Sequence, residues 1–120
     1  MLPSIDIVIV NWNSAHQLRE CLDSIVSSDR QDFKLDRVII VDNASTDRSL
    51  ESVQDIDLPV HIIKNSDNKG FGVACNQGVA IGKSEYILFL NPDTRLFKLA
   101  LDQAISFIQN SSPEIGRAHV

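Results

Sequence analysis

The nine residues from Tyr86 to Thr94, YILFLNPDT, join a short apolar run to an abrupt polar cluster. Five aromatic and aliphatic residues in a row, closed by a proline, are typical of a strand buried on both faces. We therefore predict a central strand that ends at Leu90 and carries Asn91 and Asp93 at its carboxyl end. Pro92 restricts the backbone between these two polar residues and holds their side chains in a defined relation.

This polar cluster has the chemistry of a divalent-cation site. Ligands of open α/β sheets bind in the crevice at the carboxyl ends of the strands. Asp93 offers a hard oxygen ligand and Asn91 an amide oxygen, which suit a cation that keeps several waters and shares the phosphate oxygens of a ligand. The alternative is that Asp93 or Thr94 caps the next helix. The segment alone leaves both interpretations open.

Composition limits the class of protein. The chain has 120 residues, enough for one small domain with a hydrophobic core. Its net charge of -5 gives no electrostatic support for binding nucleic acid or an anionic membrane. No apolar stretch has the length of a transmembrane helix, and no signal sequence opens the chain. Cys21 and Cys75 stand alone, so we expect reduced core residues in a cytoplasmic protein.

Buried strands alternate with helical segments along the chain. Apolar runs at residues 5–10, 37–41 and 59–63 resemble the run that ends at Leu90, and residues 27–36 read as a loop. The alternation predicts an α/β domain over residues 1–112, with a mostly parallel central sheet flanked by helices. Residues 113–120 form a C-terminal tail, beginning at the proline expected to end the last helix. The helices are predicted after a capping box of Ser14 and Gln17, from Ser45 or Thr46 to about 54, at 73–81 and around 97–108.

Polar clusters follow three of the four predicted strands, at residues 11–13, 42–43 and 91–93. Because the carboxyl ends of parallel strands share one edge of a sheet, these clusters should converge there. Asp42 has the acceptor chemistry to bind the ring N–H of a pyrimidine base, although a turn residue bonded to its own backbone is the alternative. The convergence predicts a binding site at this edge.

A glycine-containing turn precedes the helix at residues 73–81. Asn68 and Gly70 lie just before it, where helix amides favour phosphate oxygens, and Asn76 lies one to two turns inside it. Gly78 is one of several small residues at helical spacing, which indicates close approach to the sheet or to a ligand. Trp12, the single tryptophan, is interpreted as a core residue.

Several phosphate-binding motifs are missing. No glycine-rich turn follows the first strand, as a dinucleotide-binding unit would require, and there is no P-loop. Asn91 stands where an aspartyl phosphatase would have its nucleophilic aspartate. A nucleotidyltransferase is disfavoured because a basic, glycine-rich loop near the first strand is absent.

Four motifs together resemble the family 2 glycosyltransferases, especially the rhamnosyltransferase-like subgroup. They are VIVNWN at 8–13, VDNASTD at 41–47, NKGFG at 68–72 with Asn76, and FLNPDT at 89–94. The resemblance covers about residues 5–110. It implies the Rossmann-like, nucleotide-binding half of a GT-A fold. It also implies transfer, with inversion, from a UDP-, dTDP- or GDP-sugar to a glycan or lipid-linked acceptor.

The resemblance also implies roles for individual residues. Asp93 would bind Mn²⁺ or Mg²⁺ as part of the family's Asp-x-Asp motif, in which Asn91 replaces the first aspartate. Asp42 would bind the base. The remaining nucleotide- and donor-binding residues would be Val10, Asn11, Asn13, Asn43, Asn68, Gly70 and Asn76.

Members of that family normally run well beyond 120 residues, and their second half carries the acceptor site and the catalytic base. We therefore expect this chain to be a donor-binding, N-terminal portion, inactive or weakly active alone, with no catalytic residue of its own. The competing interpretation is a non-catalytic nucleotide-binding or interaction module derived from the same fold. Further expectations are a cytoplasmic location, with peripheral attachment to the inner membrane face in a longer protein, and self-association through exposed apolar surface.

Overall fold

A computed structural model describes residues 2–110 of the chain. The predicted tail at 113–120 and the helix end at its first proline lie outside these residues. Strands and helices alternate along the described part. Their bounds are β1 Ser4–Asn11, α1 Gln17–Val26, β2 Lys34–Asp42, a 3-10 helix Ser49–Val53, β3 Val60–Lys64, α2 Phe71–Ile81, β4 Tyr86–Leu90 and α3 Ala100–Gln109.

The four strands form one parallel sheet in the order β3-β2-β1-β4. The chain moves outward from β1 through β2 to β3, and then returns to place β4 on the other side of β1. Asn11 pairs with Asp42 and Ile9 pairs with Leu90, so the polar residues after these strands lie at one level. The predicted parallel α/β sheet is confirmed, and the strand order reverses between β1 and β4.

Helices cover both faces of the sheet. Side chains of α1 and α3, such as Leu22 and Ile105, pack with Ile7 and Ile9 of β1 on one face. On the opposite face, α2 packs Ala74 against β1 and β2. Across residues 2–110, none of the helices reaches the length and apolar character needed to cross a bilayer.

Two strand predictions are wrong in position. Within the described residues β4 lies at an edge of the sheet, with β1 as its only neighbour, and β3 lies at the other edge with much of its surface exposed. A short apolar run looks alike in sequence whether one or two strands flank it. β2 begins at Lys34, inside the predicted loop, because Lys34 and Leu35 pair with Ser4 and Ile5.

Two predicted helix caps are also wrong. The α1 helix begins at Gln17, and the Ser14 hydroxyl donates to Asn11 instead of capping that helix. The predicted helix from Ser45 is a short 3-10 helix that begins at Ser49. In both cases the serine hydroxyl donates to the residue three positions back, at the end of the preceding strand, so capping loses to this local hydrogen bond.

Gly78 lets α2 approach β1 closely, which confirms one of the two reasons predicted for its small size. A Cβ atom added there would lie 2.5 Å from Val8 Cγ1 and 3.1 Å from Val8 Cγ2. Gly78→Ala should therefore lower the free energy of unfolding by roughly 1–3 kcal/mol through overpacking. Urea denaturation measures this loss.

Gly72 provides the matched control on the same helix. A Cβ atom added at Gly72 meets no atom within 4 Å, so Gly72→Ala should be neutral or stabilising by up to about 1 kcal/mol, since alanine favours helix. Equal effects of the two substitutions would show that contact with Val8 does not determine the need for glycine at position 78.

Candidate functional site

An open cleft of about 280 Å³ lies between the carboxyl ends of β1 and β4. This is where the strand order reverses, the position at which open α/β sheets bind ligands. Four predicted site residues line it, together with four that were not assigned to the site. The predicted ones are Val10, Asn13, Asn91 and Asp93, and the others are Trp12, Ser14, Gln17 and Pro92.

Asp93 and Asn91 present unengaged polar groups to this cleft. Both are exposed, and neither side chain makes a hydrogen bond or ion pair to another residue within 2–110. The helix after β4 begins only at Ala100, and the N–H of Thr94 bonds to the carbonyl of Asn91 at 2.9 Å. Neither Asp93 nor Thr94 therefore caps that helix, and the capping alternative is wrong.

The donor set fits a cation bound jointly with a ligand. In residues 2–110 no group of three acidic, histidine or cysteine side chains lies close enough to hold a metal by itself. One carboxylate and one amide oxygen leave most coordination positions of Mn²⁺ or Mg²⁺ to water and to phosphate oxygens, an arrangement that Mg²⁺ commonly adopts in proteins. Asp93 is the residue that would hold it, with Asn91 as a neutral neighbour.

Asn11 and Asp42 are buried beneath the site and bonded to each other. Asn11 Nδ2 donates to Asp42 Oδ1 at 2.9 Å and to Ser49 Oγ at 2.8 Å. The Ser45 hydroxyl donates to Asp42 Oδ1 at 2.6 Å, and its N–H donates to Oδ2 at 3.1 Å. The Ser14 hydroxyl donates to Asn11 Oδ1. Asp42, only 3% exposed, therefore joins the loops after β1 and β2.

Asn13 and Asp47 fix the backbone at the cleft wall. Asn13 Oδ1 accepts the N–H of Thr46 at 2.7 Å, and Asp47 Oδ2 accepts the N–H of Ala15 at 2.8 Å. These bonds hold Asn13 and Ala15 at φ values of 48° and 53°, which non-glycine residues rarely adopt. Hydrogen bonds between the loops after β1 and β2 therefore fix the backbone of this wall.

The hydroxyl of Ser49 lowers the pKa of the Asp47 carboxyl, and the N–H groups of Ser49 and Ala15 add to this effect. Because the folded-state pKa is depressed, Asp47 stabilises the fold above its unfolded pKa, and this stabilisation is lost as the pH falls through the folded value. Solvent exposure of Asp47 keeps the contribution small.

Asn43 links β2 to the turn before α2. Its Nδ2 donates to the carbonyl of Gly70 at 3.1 Å, and its Oδ1 accepts from Asn65 Nδ2 at 3.0 Å. Asn68 Oδ1 accepts the N–H of Gly70 at 2.9 Å. Gly70 has a φ of 84°, which favours glycine at this position. Asn43 is thus a buried tie between segments.

The predicted residues therefore divide into three groups. Val10, Asn13, Asn91 and Asp93 line the cleft. Asn11 and Asp42 are buried at the last positions of β1 and β2, and Asn43 is buried directly after β2. Asn68, Gly70 and Asn76 are exposed outside the cleft, around the start of α2. Trp12 was predicted to be a core residue, and this is wrong because it is 56% exposed. The position of Trp12 between two asparagines at the end of a predicted strand was the sequence feature that could have indicated its exposure at the cleft.

A parallel α/β sheet with an exposed carboxylate at its switch point defines a Rossmann-like α/β domain. A family model described as glycosyl transferase family 2 matches residues 6–116. This chain belongs to glycosyltransferase family 2, and the predicted GT-A type of fold is confirmed.

Two relatives illustrate the match. The chain is 33% identical over 117 residues to a poly(ribitol-phosphate) beta-glucosyltransferase of Bacillus spizizenii, covering 92% of this chain and 18% of that protein. It is 33% identical over 116 residues to a PGL/p-HBAD biosynthesis glycosyltransferase of Mycobacterium tuberculosis, covering 92% and 44% respectively. The chain therefore spans less than half the length of either relative.

Solved structures share the fold. A structure of S. aureus TarS 1-349 in complex with UDP-GlcNAc has a TM-score of 0.79 and 26% identity, covering 88% of this chain and 31% of that one. The mannosyltransferase PcManGT of Pyrobaculum calidifontis, in complex with GDP-Man and Mn²⁺, has a TM-score of 0.83 and 24% identity, covering 94% and 34%. At 24% identity, the second likeness shows the fold alone.

Proposed function

We propose that this chain supplies the donor- and metal-binding half of an inverting glycosyltransferase. The sugar would pass from a nucleotide-diphosphate sugar to a glycan or lipid-linked acceptor. The observation that carries the proposal is the cleft between β1 and β4, where the carboxylate of Asp93, which has no ion pair to any other described residue, lies close to Asn13 and Trp12. Membership of glycosyltransferase family 2 supplies the class of reaction.

Asp93 would hold Mn²⁺ or Mg²⁺ together with the diphosphate of the donor. When bound, the metal neutralises charge that develops on the departing nucleoside diphosphate. Asn91 adds a neutral oxygen beside the carboxylate. The exposed indole of Trp12 offers a flat apolar face on which a base or sugar can stack. UDP-GlcNAc bound to TarS, a structure 26% identical to this chain, supports this kind of ligand.

Asp42 would recognise the base, although only a small part of its carboxylate is accessible to a ligand. Its carboxylate already accepts three hydrogen bonds from Asn11 and Ser45, and a carboxylate has about four acceptor positions. A base could use the remaining position only after the loop that contains Ser45 moves aside. Asp42 and Asn11 are thus proposed to shape the nucleoside pocket with Val10, as well as to contact the nucleoside.

The start of α2 would bind the rest of the donor. Gly70 precedes the first turn of the helix and has no side chain to cap it, so amide groups there remain available to phosphate oxygens. Asn68 and Asn76 are exposed around this turn. Asn43 would act from below by holding the carbonyl of Gly70 in place.

A non-catalytic, nucleotide-binding module is the second candidate. Among residues 2–110, Asp93 is the only carboxylate that lines the cleft, so these residues do not also provide a base to deprotonate an acceptor hydroxyl. We propose that in a sugar-transferring protein this base lies in another region.

The proposal has three further parts. They are a rhamnosyltransferase-like specificity, a cytoplasmic location with peripheral membrane contact, and self-association through the exposed side chains of Phe97 and Leu99.

Trp12 fluorescence offers a direct test, because this cleft residue is the chain's single tryptophan. Adding UDP, dTDP or GDP with Mn²⁺ should change its emission in a saturable way, with the base that fits best acting at the lowest concentration. Mn²⁺ pyrophosphate is the control that lacks base and ribose. No change with any nucleotide at millimolar concentration would contradict a donor site at this cleft.

A further inference from the structure

The guanidinium of Arg95 donates hydrogen bonds to the backbone on both sides of Asp93. Arg95 Nη1 donates to the carbonyl of Pro92 at 3.1 Å and to the carbonyl of Thr94 at 3.0 Å. Arg95 Nη2 bonds to the carboxylate of Glu20 on α1. We call this set, the Arg95 and Glu20 side chains with the two carbonyls, the Arg95 clamp. It ties the Asp93 turn to a helix packed in the core.

Two other contacts join the same turn to α1. The N–H of Leu96 donates to Ser24 Oγ at 3.1 Å, and the thiol of Cys21 points to the carbonyl of Asn91 with a sulfur–oxygen distance of 3.8 Å. The turn has no helix or strand of its own between Leu90 and Ala100. Contacts with α1 therefore determine where Asp93 lies relative to the cleft.

The clamp also keeps the positively charged guanidinium of Arg95 from pairing with the Asp93 carboxylate. Arg95 follows Asp93 by two residues, yet its guanidinium bonds go to Glu20 and to two carbonyls. Glu20 Oε2 also lies 3.9 Å from His16 Nε2. An arginine paired with Asp93 would neutralise the charge that a metal needs. With Arg95 engaged elsewhere, Asp93 has no ion pair within residues 2–110.

We propose that Arg95 is a positioning residue for a metal–nucleotide complex at Asp93, and that Glu20 holds Arg95 in this role. The inference rests on the proposed function of Asp93. The planar fork of arginine reaches two carbonyls and a carboxylate at once, which lysine cannot reproduce. Exposed ion pairs contribute little to stability, so the role of Arg95 should appear in binding more than in unfolding.

Binding of UDP with Mn²⁺ and with EDTA tests this role. We define the Mn²⁺ increment as the affinity for UDP in Mn²⁺ divided by the affinity for UDP in EDTA. This increment should fall about tenfold in Arg95→Ala, because a small displacement of a group that holds a ligand weakens binding strongly. Arg95→Lys should recover only part of the loss, and Glu20→Gln should show a smaller fall. Affinity in EDTA should not change. Arg95→Ala with an unchanged increment would overturn the positioning role.

Arg19→Ala is the matched control. Arg19 is the neighbouring arginine on α1, and its Nη1 also donates to two backbone carbonyls, those of Ser52 and Gln54, both at 2.9 Å. Those carbonyls belong to the connection between β2 and β3, away from the Asp93 turn. Arg19→Ala should therefore leave the Mn²⁺ increment intact. A fall equal to that of Arg95→Ala would mean that general loosening of α1 explains the effect.

The rate at which a thiol reagent labels Cys21 measures how firmly the clamp holds the Asp93 turn on α1, and this measurement needs neither metal nor nucleotide. Burial raises the pKa of this thiol to about 11, although the positive charge of Arg95 opposes the rise, and its side chain is fully buried. Because loss of that charge alone would slow labelling, faster labelling in Arg95→Ala reports opening of the turn. In a Cys75→Ser background, a thiol reagent should label Cys21 about tenfold faster after Arg95→Ala, whereas Arg19→Ala should change the rate little. Unfolding in urea corrects for any difference in global stability. Equal labelling rates of Cys21 with and without Arg95, after this correction, would show that Arg95 does not hold the Asp93 turn in place.

The two readouts separate the inference from the proposed function. An unaltered chain with no Mn²⁺ increment overturns the proposed function, together with any role of Arg95 toward a metal. An increment that Asp93→Asn removes and Arg95→Ala preserves leaves the proposed function standing and overturns the inference. Loss in both variants, with faster labelling of Cys21 only in Arg95→Ala, supports both.

Discussion

Asp93→Asn is expected to remove the Mn²⁺-dependent part of UDP binding, a loss of about a hundredfold in affinity when Mn²⁺ is present. The substitution keeps the shape of the side chain and removes the one carboxylate that the described part of the chain, residues 2–110, contributes to the cleft. Hard divalent cations depend on such charged oxygens, and even indirect support of a metal ligand is worth about 10–100-fold. Isothermal titration with UDP, in Mn²⁺ and in EDTA, measures the loss.

The matched control is Asp57→Asn, which changes the net charge equally. Asp57 is exposed just before β3, at the opposite edge of the sheet. Thermal unfolding should be the same for both variants, because neither carboxylate supports the fold through a hydrogen bond. Retention of the Mn²⁺ increment in Asp93→Asn would show that the cation, if bound, is not held by Asp93.

Asp6→Ala is expected to lower the free energy of unfolding by about 3–5 kcal/mol, the usual cost of removing one partner of a buried ion pair. Asp6 is fully buried in β1. Its Oδ1 accepts from Arg37 Nη1 at 3.3 Å, and its Oδ2 accepts the N–H groups of Lys83 and Ser84 at 2.8 and 2.9 Å. The substitution leaves these donors without an acceptor and Arg37 without its counter-charge.

Asp23→Ala provides the comparison for an exposed pair. Asp23 accepts from Arg19 Nε at 3.0 Å on the surface of α1, and such pairs contribute about 0–1 kcal/mol. Urea denaturation at neutral pH compares the two variants. A loss below 1 kcal/mol for Asp6→Ala would mean that water replaces the carboxylate at the amino end of the sheet.

The fold and the convergence of the polar clusters could be predicted because both depend on local patterns. Apolar runs locate strands, and parallel strands bring their carboxyl ends to one edge, so Asn13 and Asp93 were correctly expected at the same edge of the sheet, where both line one cleft. Edge and central strands could not be distinguished, because their number of neighbours is not encoded in a five-residue run. This explains the misplacement of β4 within the sheet.

Burial of the polar residues could not be predicted. Asn11 and Asp42 read as surface groups after strands, but hydroxyls of Ser45 and Ser49 close over them from a segment more than 30 residues away from Asn11. Asp6 lies inside the apolar run at residues 5–10, and its hydrogen-bond partners lie 31, 77 and 78 residues away. Such partners are set by tertiary structure, which single-residue patterns do not contain.

The central claim is that this chain carries a metal-assisted nucleotide site between β1 and β4. Calorimetric titration of the chain with UDP, in Mn²⁺ and in EDTA, tests it most directly. The account predicts about a hundredfold tighter binding in Mn²⁺, the equivalent of roughly 2.8 kcal/mol, and loss of this difference in Asp93→Asn. Equal affinity under both conditions, or no binding at millimolar UDP, would contradict it.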